Sequence, residues 1–198
     1  KRSDVLSVFA GLRPLAAPRS EGKKTKEISR SHKLIREKSG LITIIGGKWT
    51  TYRKMAQDTL DLAIRYMHIP TKDCITERYQ IHGSRKNPDF SDPLYVYGTD
   101  ADEIRNLVAS SPAMAEKLHP DYAYTVGEVT WLVRNEMPRT LEDVLARRLR
   151  ILFLDARAAM AMAPKVAGIL ATEWGKDETW TSAQVKAFNE VASNYILN

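Results

Sequence analysis

A lysine set directly after two glycines, between an apolar run and a helix-forming stretch, has the clearest chemical use in this sequence. It lies in Leu41 to Met55, LITIIGGKWTTYRKM. A strand that feeds a helix through glycines turns the unbonded N–H groups of the first helical turn, with the positive end of the helix dipole, toward whatever lies beyond the strand. Such an element binds an anion or a carbonyl. A Walker phosphate loop is excluded, because it needs Gly where Ile42 stands and Ser or Thr where Trp49 follows Lys48. Taken alone, the Gly-Gly-Lys run also fits an ordinary turn with an exposed lysine. Two arginines add to it. Arg13, in Gly11-Leu12-Arg13-Pro14-Leu15, is held extended by the following proline. It suits two-pronged contact with phosphate or carboxylate, or is a surface residue at a turn. Arg30, between Ser29 and Ser31, lies in a strand-like run and reads by itself as a solvated edge residue.

The elements that must position these residues follow from periodicity and caps. Val5 to Ala10 reads as a strand, as does Ile28 to Arg36, and Leu41 to Ile45 suits a strand buried on both faces. From Thr50 to Pro70 the spacing of Met55, Leu60, Leu62, Ala63 and Met67 predicts a helix. A connector rich in Pro, Gly, Asp and Asn follows, with a short strand expected at Arg78 to Ile81. The rest is helical. Asp100 is expected to cap Ala101 to Ala109, Thr125 to cap the next helix, Thr140 with Asp143 to form a capping box, and Thr181 to cap the last helix. Pro164 is expected to kink or split the segment Ile151 to Trp174. The fold class is therefore α+β: a short strand-rich part over 1–68, a connector over 69–99 and an all-α domain over 100–198.

Composition limits the function. The chain has 198 residues, 43% hydrophobic and 27% charged, with one Cys. A lone Cys74 forms no internal disulfide, which excludes a stapled secreted scaffold. The longest apolar run falls short of the ~20 residues that span a bilayer. Residues 1–66 carry 15 Lys and Arg against 6 Asp and Glu, and the remainder is net negative. The basic part could meet nucleic acid, anionic lipid or a small phosphorylated ligand. His32, His68, His82 and His119 are spread too widely for metal-ligand spacing, so no metal site is expected. The chain starts at Lys1 without a targeting signature, and reads as part of something longer.

Taken in order, SVFAGLRPL, ISRSHKL and GLITIIGGKWTTYRKMA resemble the C-terminal part of the flavin-binding domain of FAD-dependent glycerol-3-phosphate dehydrogenases. MPRTLEDVLARRLRILFLDARAAMAMAPKVAGILATEWG is similar to that family's helical C-terminal domain. The resemblance implies that 1–68 is the end of an FAD- and substrate-binding α/β domain. It implies that Arg13, Arg30 and Lys48 bind glycerol 3-phosphate, with Arg13 and Lys48 also catalytic, and that Gly46, Gly47, Lys48, Trp49 and Thr50 face the flavin. His32 is not carried over as catalytic. The family's GxGxxG unit for the FAD pyrophosphate does not occur in these residues, so this chain alone is not expected to retain FAD or turn over substrate. The resemblance further implies quinone as electron acceptor, peripheral contact with the cytoplasmic face of a membrane, a cytoplasmic location and no nucleic-acid partner. The rival reading is a nucleic-acid-binding module using Arg134, Arg139, Arg147, Arg148 and Arg150, or a purely structural helical interaction module.

Overall fold

The computed structural model describes residues 1–12 and 31–197. They form two compact units: Lys1–Ala10 with His82–Asn198, and Gly11–Ile81. The α+β class holds. The second segment begins within the expected 69–99 connector, and the first ten residues join the helical unit.

In the smaller unit, strands β1 (His32–Arg36) and β2 (Ile42–Gly46) pair antiparallel, with His32 opposite Gly46 and Arg36 opposite Ile42. A 3-10 turn at Trp49–Thr51 leads into helix α1 (Tyr52–Met67). The helix stops where His68 takes a left-handed conformation, two residues before Pro70. The Arg36 guanidinium sits over the Tyr66 ring, 3.6 Å from its centroid.

Two expectations are corrected here. Ile42 to Ile45 are half-buried rather than covered on both faces. The paired β1 and the helix α1 are the elements at hand in this unit, and α1 itself has no buried residue. Leu41, Trp49, Tyr52, Leu60 and Met67 all remain exposed. Arg78 to Ile81 is not a strand; the chain turns at Thr76–Arg78, where Arg53 donates to Thr76 Oγ1 at 3.1 Å and to Glu77 at 3.4 Å.

The larger unit is helical: α2 (Ala101–Ala109), α3 (Pro112–Ala115), α4 (Val126–Asn135), a π-helical turn (Asp143–Arg148), α5 (Ile151–Leu154), α6 (Ala156–Trp174) and α7 (Glu178–Ser193). Helix α6 lies against α4, α5 and α7. Its buried Ala159, Ala163 and Ala167 recur at helical spacing and let neighbouring backbones approach, while Met162, Val166 and Leu170 fill the core with Leu132, Leu145, Ile151 and Phe188.

Thr125 accepts from the Glu128 N–H, and Thr140 and Asp143 cap each other's N–H groups, as the sequence suggests. Three other expectations change. Asp100 stands at the N-cap of α2 as expected but makes no side-chain cap bond, and its carboxylate is engaged by His82 at 2.8 Å. The cap of α7 is Asp177, which accepts from the Trp180 N–H, and Thr181 lies inside the helix. Helix α6 passes through Pro164 uninterrupted, and the break falls at Asp155, whose carboxylate caps α6 at the Ala158 N–H. One lost backbone bond at Pro164 is outweighed by the buried face on both sides of it.

Val5 to Ala10 is extended but belongs to no strand. It docks on helix ends of its own unit. The Ala156 N–H donates to the Leu6 carbonyl, the Val8 N–H donates to Tyr195, and the Ser7 hydroxyl donates to Leu152 at 2.7 Å. The Phe9 ring meets Phe153 edge-on at 5.1 Å. Helix termini carry polar backbone groups without intrahelical partners, and this segment satisfies some of them as a neighbouring strand would.

Candidate functional site

The candidate site is the turn between β2 and α1. Gly46 and Gly47 both have positive φ, 74° and 82°. A Cβ on Gly47 would lie 2.5 Å from the Met55 sulfur and 3.2 Å from the His32 Cβ. The backbone conformation at Gly47 favours glycine, and a side chain would in addition have to displace the end of Met55. Lys48 then stands extended at the head of the 3-10 turn. Its N–H donates to Thr51 Oγ1 at 3.2 Å, and the Thr51 hydroxyl donates back to the Lys48 carbonyl at 2.9 Å. The Trp49 and Thr50 N–H groups lie in the first turn, where no intrahelical acceptor exists.

Gly46, Lys48, Trp49 and Thr50 are exposed, and Lys48 forms no ion pair among the described residues. Trp49 is 88% exposed and lies 5.9 Å from the Tyr52 ring. An uncompensated ammonium, a helix N-terminus and an open aromatic surface form one end of the unit. That set of donors fits an anionic group or a carbonyl-bearing ring edge, as a flavin presents. Arg13 and Arg30 lie outside the described residues, so the structure brings together only the Gly46 to Thr50 part of the expected site.

Beside the turn is a pair that sequence reasoning missed. His32 Nε2 lies 2.9 Å from Asp58 Oδ2, and Lys54 Nζ lies 2.9 Å from Asp58 Oδ1. The Lys54 contact, helped by His32, holds the Asp58 carboxyl below its usual range against the opposing effect of desolvation. Only Lys54 and Asp58, one helical turn apart, are visible as a pair in sequence.

In the larger unit the arginines proposed for nucleic acid are largely engaged. Arg134 makes a two-pronged bond to Glu173, Arg147 pairs with Glu142 and Asp143, and Arg148 donates to the backbone carbonyls of Glu136 and Asp143. A phosphate-binding face needs cations free of such partners. The unit also buries Glu128, which accepts from the Tyr97 hydroxyl at 2.7 Å. Desolvation pushes the Glu128 carboxyl up.

Comparison with known proteins agrees with the resemblance. Residues 41–181 match the C-terminal domain of alpha-glycerophosphate oxidase. A probable mitochondrial glycerol-3-phosphate dehydrogenase of Caenorhabditis elegans is 35% identical over 99% of this chain and 29% of its own length. The mitochondrial glycerol-3-phosphate dehydrogenase of Arabidopsis thaliana is 32% identical over 98% of the chain and 38% of its own. That of Mesocricetus auratus is 31% identical over 99% and 29%. The chain thus spans about a third of the length of these relatives, 29% to 38%. The expected cytoplasmic location is corrected by the same relatives, all of which are named as mitochondrial. With 141 of its 198 residues matched, the chain belongs to the family of the C-terminal domain of alpha-glycerophosphate oxidase.

Proposed function

We propose that this chain is the C-terminal part of an FAD-dependent glycerol-3-phosphate dehydrogenase, an oxidoreductase that converts glycerol 3-phosphate to dihydroxyacetone phosphate. The observation that carries the reading is the open end of α1, where Lys48 stands without an acidic partner among the described residues next to unbonded helix N–H groups. The names of the relatives support the same substrate. The exposed apolar residues Trp49, Tyr52, Leu60 and Met67, in and just before α1, support a partner domain that covers them in a longer protein.

When bound, FAD supplies the acceptor for the hydride leaving C2 of the substrate. The C2 hydroxyl proton passes to water, and this chain's residues contribute binding and charge. Lys48, with Arg13 and Arg30, holds the substrate's phosphate dianion or polarises the C2 oxygen as it becomes a carbonyl. The Trp49 and Thr50 N–H groups, in the turn that leads into α1, would stabilise negative charge on a flavin held there. Gly46, exposed and without a side chain, would allow close approach of the backbone to that ring. We take the final electron acceptor of the intact enzyme to be quinone, with peripheral contact to a membrane. No helix among the described residues is long and apolar enough to cross one.

The test uses the intact enzyme. Lys48→Ala should lower kcat/KM for glycerol 3-phosphate about a hundredfold or more, by removing the charged donor from the substrate's phosphate or C2 oxygen. Arg13→Lys should lower it about tenfold to a hundredfold with FAD retained, because Lys keeps the charge but loses the planar fork. Wild-type kinetics in both variants would refute the assignment. Loss of FAD with unchanged kinetics of the remaining holoenzyme would move these residues to the cofactor side.

A further inference from the structure

The Gly46-Gly47 turn has no side chains of its own to fix it, and its flanking sheet has only two strands among the described residues. Two-stranded pairings are marginal and fray at their ends. His32, opposite Gly46, is the last residue of the pairing on the side of the turn. Something other than the ladder must keep the turn in register with α1.

We propose that the His32–Asp58 pair is a positioning brace for the Gly46-Gly47-Lys48 turn, tying the start of β1 to the second turn of α1. The proposal rests on the dehydrogenase reading only for its consequence on catalysis. Three contacts support it. The His32 Cβ and the Met55 thioether flank the space beside Gly47, at 3.2 Å and 2.5 Å from where a Cβ would stand. The His32 ring is then fixed from beyond by Asp58 at 2.9 Å. Asp58 is held in turn by Lys54 at 2.9 Å. His32 and Asp58 side chains are 19% and 29% exposed, so water competes for this bond less than at an open surface. An ionised Asp58 can only accept, so the imidazole donates through Nε2–H and its ring orientation is set. Turn, strand and helix are thereby locked by one side chain, and Lys48, next in the chain, inherits its placement.

Amide hydrogen exchange on this chain reads the brace directly. In His32→Ala and in Asp58→Ala, exchange in a peptide covering Ile45 to Thr50 should rise about tenfold or more, with Leu62 to Met67 unchanged. His32→Gln, which keeps an N–H donor at similar reach, should restore most of the protection. Lys54→Ala, which leaves the His32–Asp58 bond intact, should leave the turn protected. In the intact enzyme, His32→Ala should lower kcat/KM about tenfold to a hundredfold at full FAD content, as expected for an ångström-scale misplacement of a binding group. His32→Gln should recover most of this. Should His32→Ala fail to fold, Asp58→Ala decides the matter. Unchanged exchange at the turn in the Ala variants would overturn the proposal. So would a uniform rise over the whole small unit, which marks general loosening rather than positioning. A turn that responds while the wild-type enzyme does not oxidise glycerol 3-phosphate would support the brace and sink the dehydrogenase reading.

Discussion

Glu128 carries a carboxyl, 4% exposed, into the helical core, with the Tyr97 hydroxyl as its side-chain donor. Desolvation raises its pKa in the folded state, so the native protein holds that proton more tightly than the unfolded chain. This group therefore favours folding most below its unfolded pKa, and that contribution is lost as pH rises through the raised folded value. Glu128→Gln keeps a carbonyl acceptor for Tyr97 and removes the charge. Its melting temperature relative to wild type should rise as pH is taken from about 4 to 8, and a difference independent of pH would contradict the buried charge. Tyr97→Phe should cost about 1 to 3 kcal/mol by stripping the buried Glu128 carboxyl of its donor. Denaturant titration of the two variants separates these effects.

At the scale of elements, three glycines with positive φ sit in different surroundings and rank accordingly. Gly175 ends α6 at φ 61° with open space around it. Replacement by Ala should cost only the left-handed backbone, about 1 kcal/mol. At Gly47 the added Cβ also meets the Met55 sulfur, which is the flexible end of a side chain, so the expected cost is about 2 to 3 kcal/mol. At Gly98 the Cβ would collide with the Gly83 backbone carbonyl, and backbone cannot step aside. That variant should lose ~4 kcal/mol or fail to fold. Thermal or urea denaturation of the series checks the order, and an equal cost at all three would show that conformation alone decides. The elements themselves were mostly legible. The spacing from Met55 to Met67 and the caps Thr125 and Thr140 are local signals, and α1, α4 and the turn after Thr140 follow them. The break at Asp155 was not, because Pro164 is the stronger sequence signal and core packing overrides it.

For the whole molecule, the first ten residues belong with the helical unit. Ser7 donates to Leu152 and Phe9 meets Phe153, so replacing both by Ala should lower the stability of that unit by about 1 to 3 kcal/mol. Melting followed at the helical band checks this; an unchanged transition would mean the segment merely lies on the surface.

The fold class, the span of α1, the caps at Thr125 and Thr140 and the Gly-Gly-Lys turn with its helix are all legible in the sequence. Each of these depends on residues a few positions apart. Tertiary packing alone leaves Ile42 to Ile45 half-buried, docks Val5 to Ala10 on helix ends, and brings Asp58 and Glu128 to His32 and Tyr97. Those pairings join residues 26, 31 and, for Ser7 with Leu152, 145 positions apart. Periodicity and capping report the few neighbours within a helical turn or a strand. Which distant groups meet is set by how the elements pack, and a buried polar group must then be satisfied by whatever that packing brings within reach.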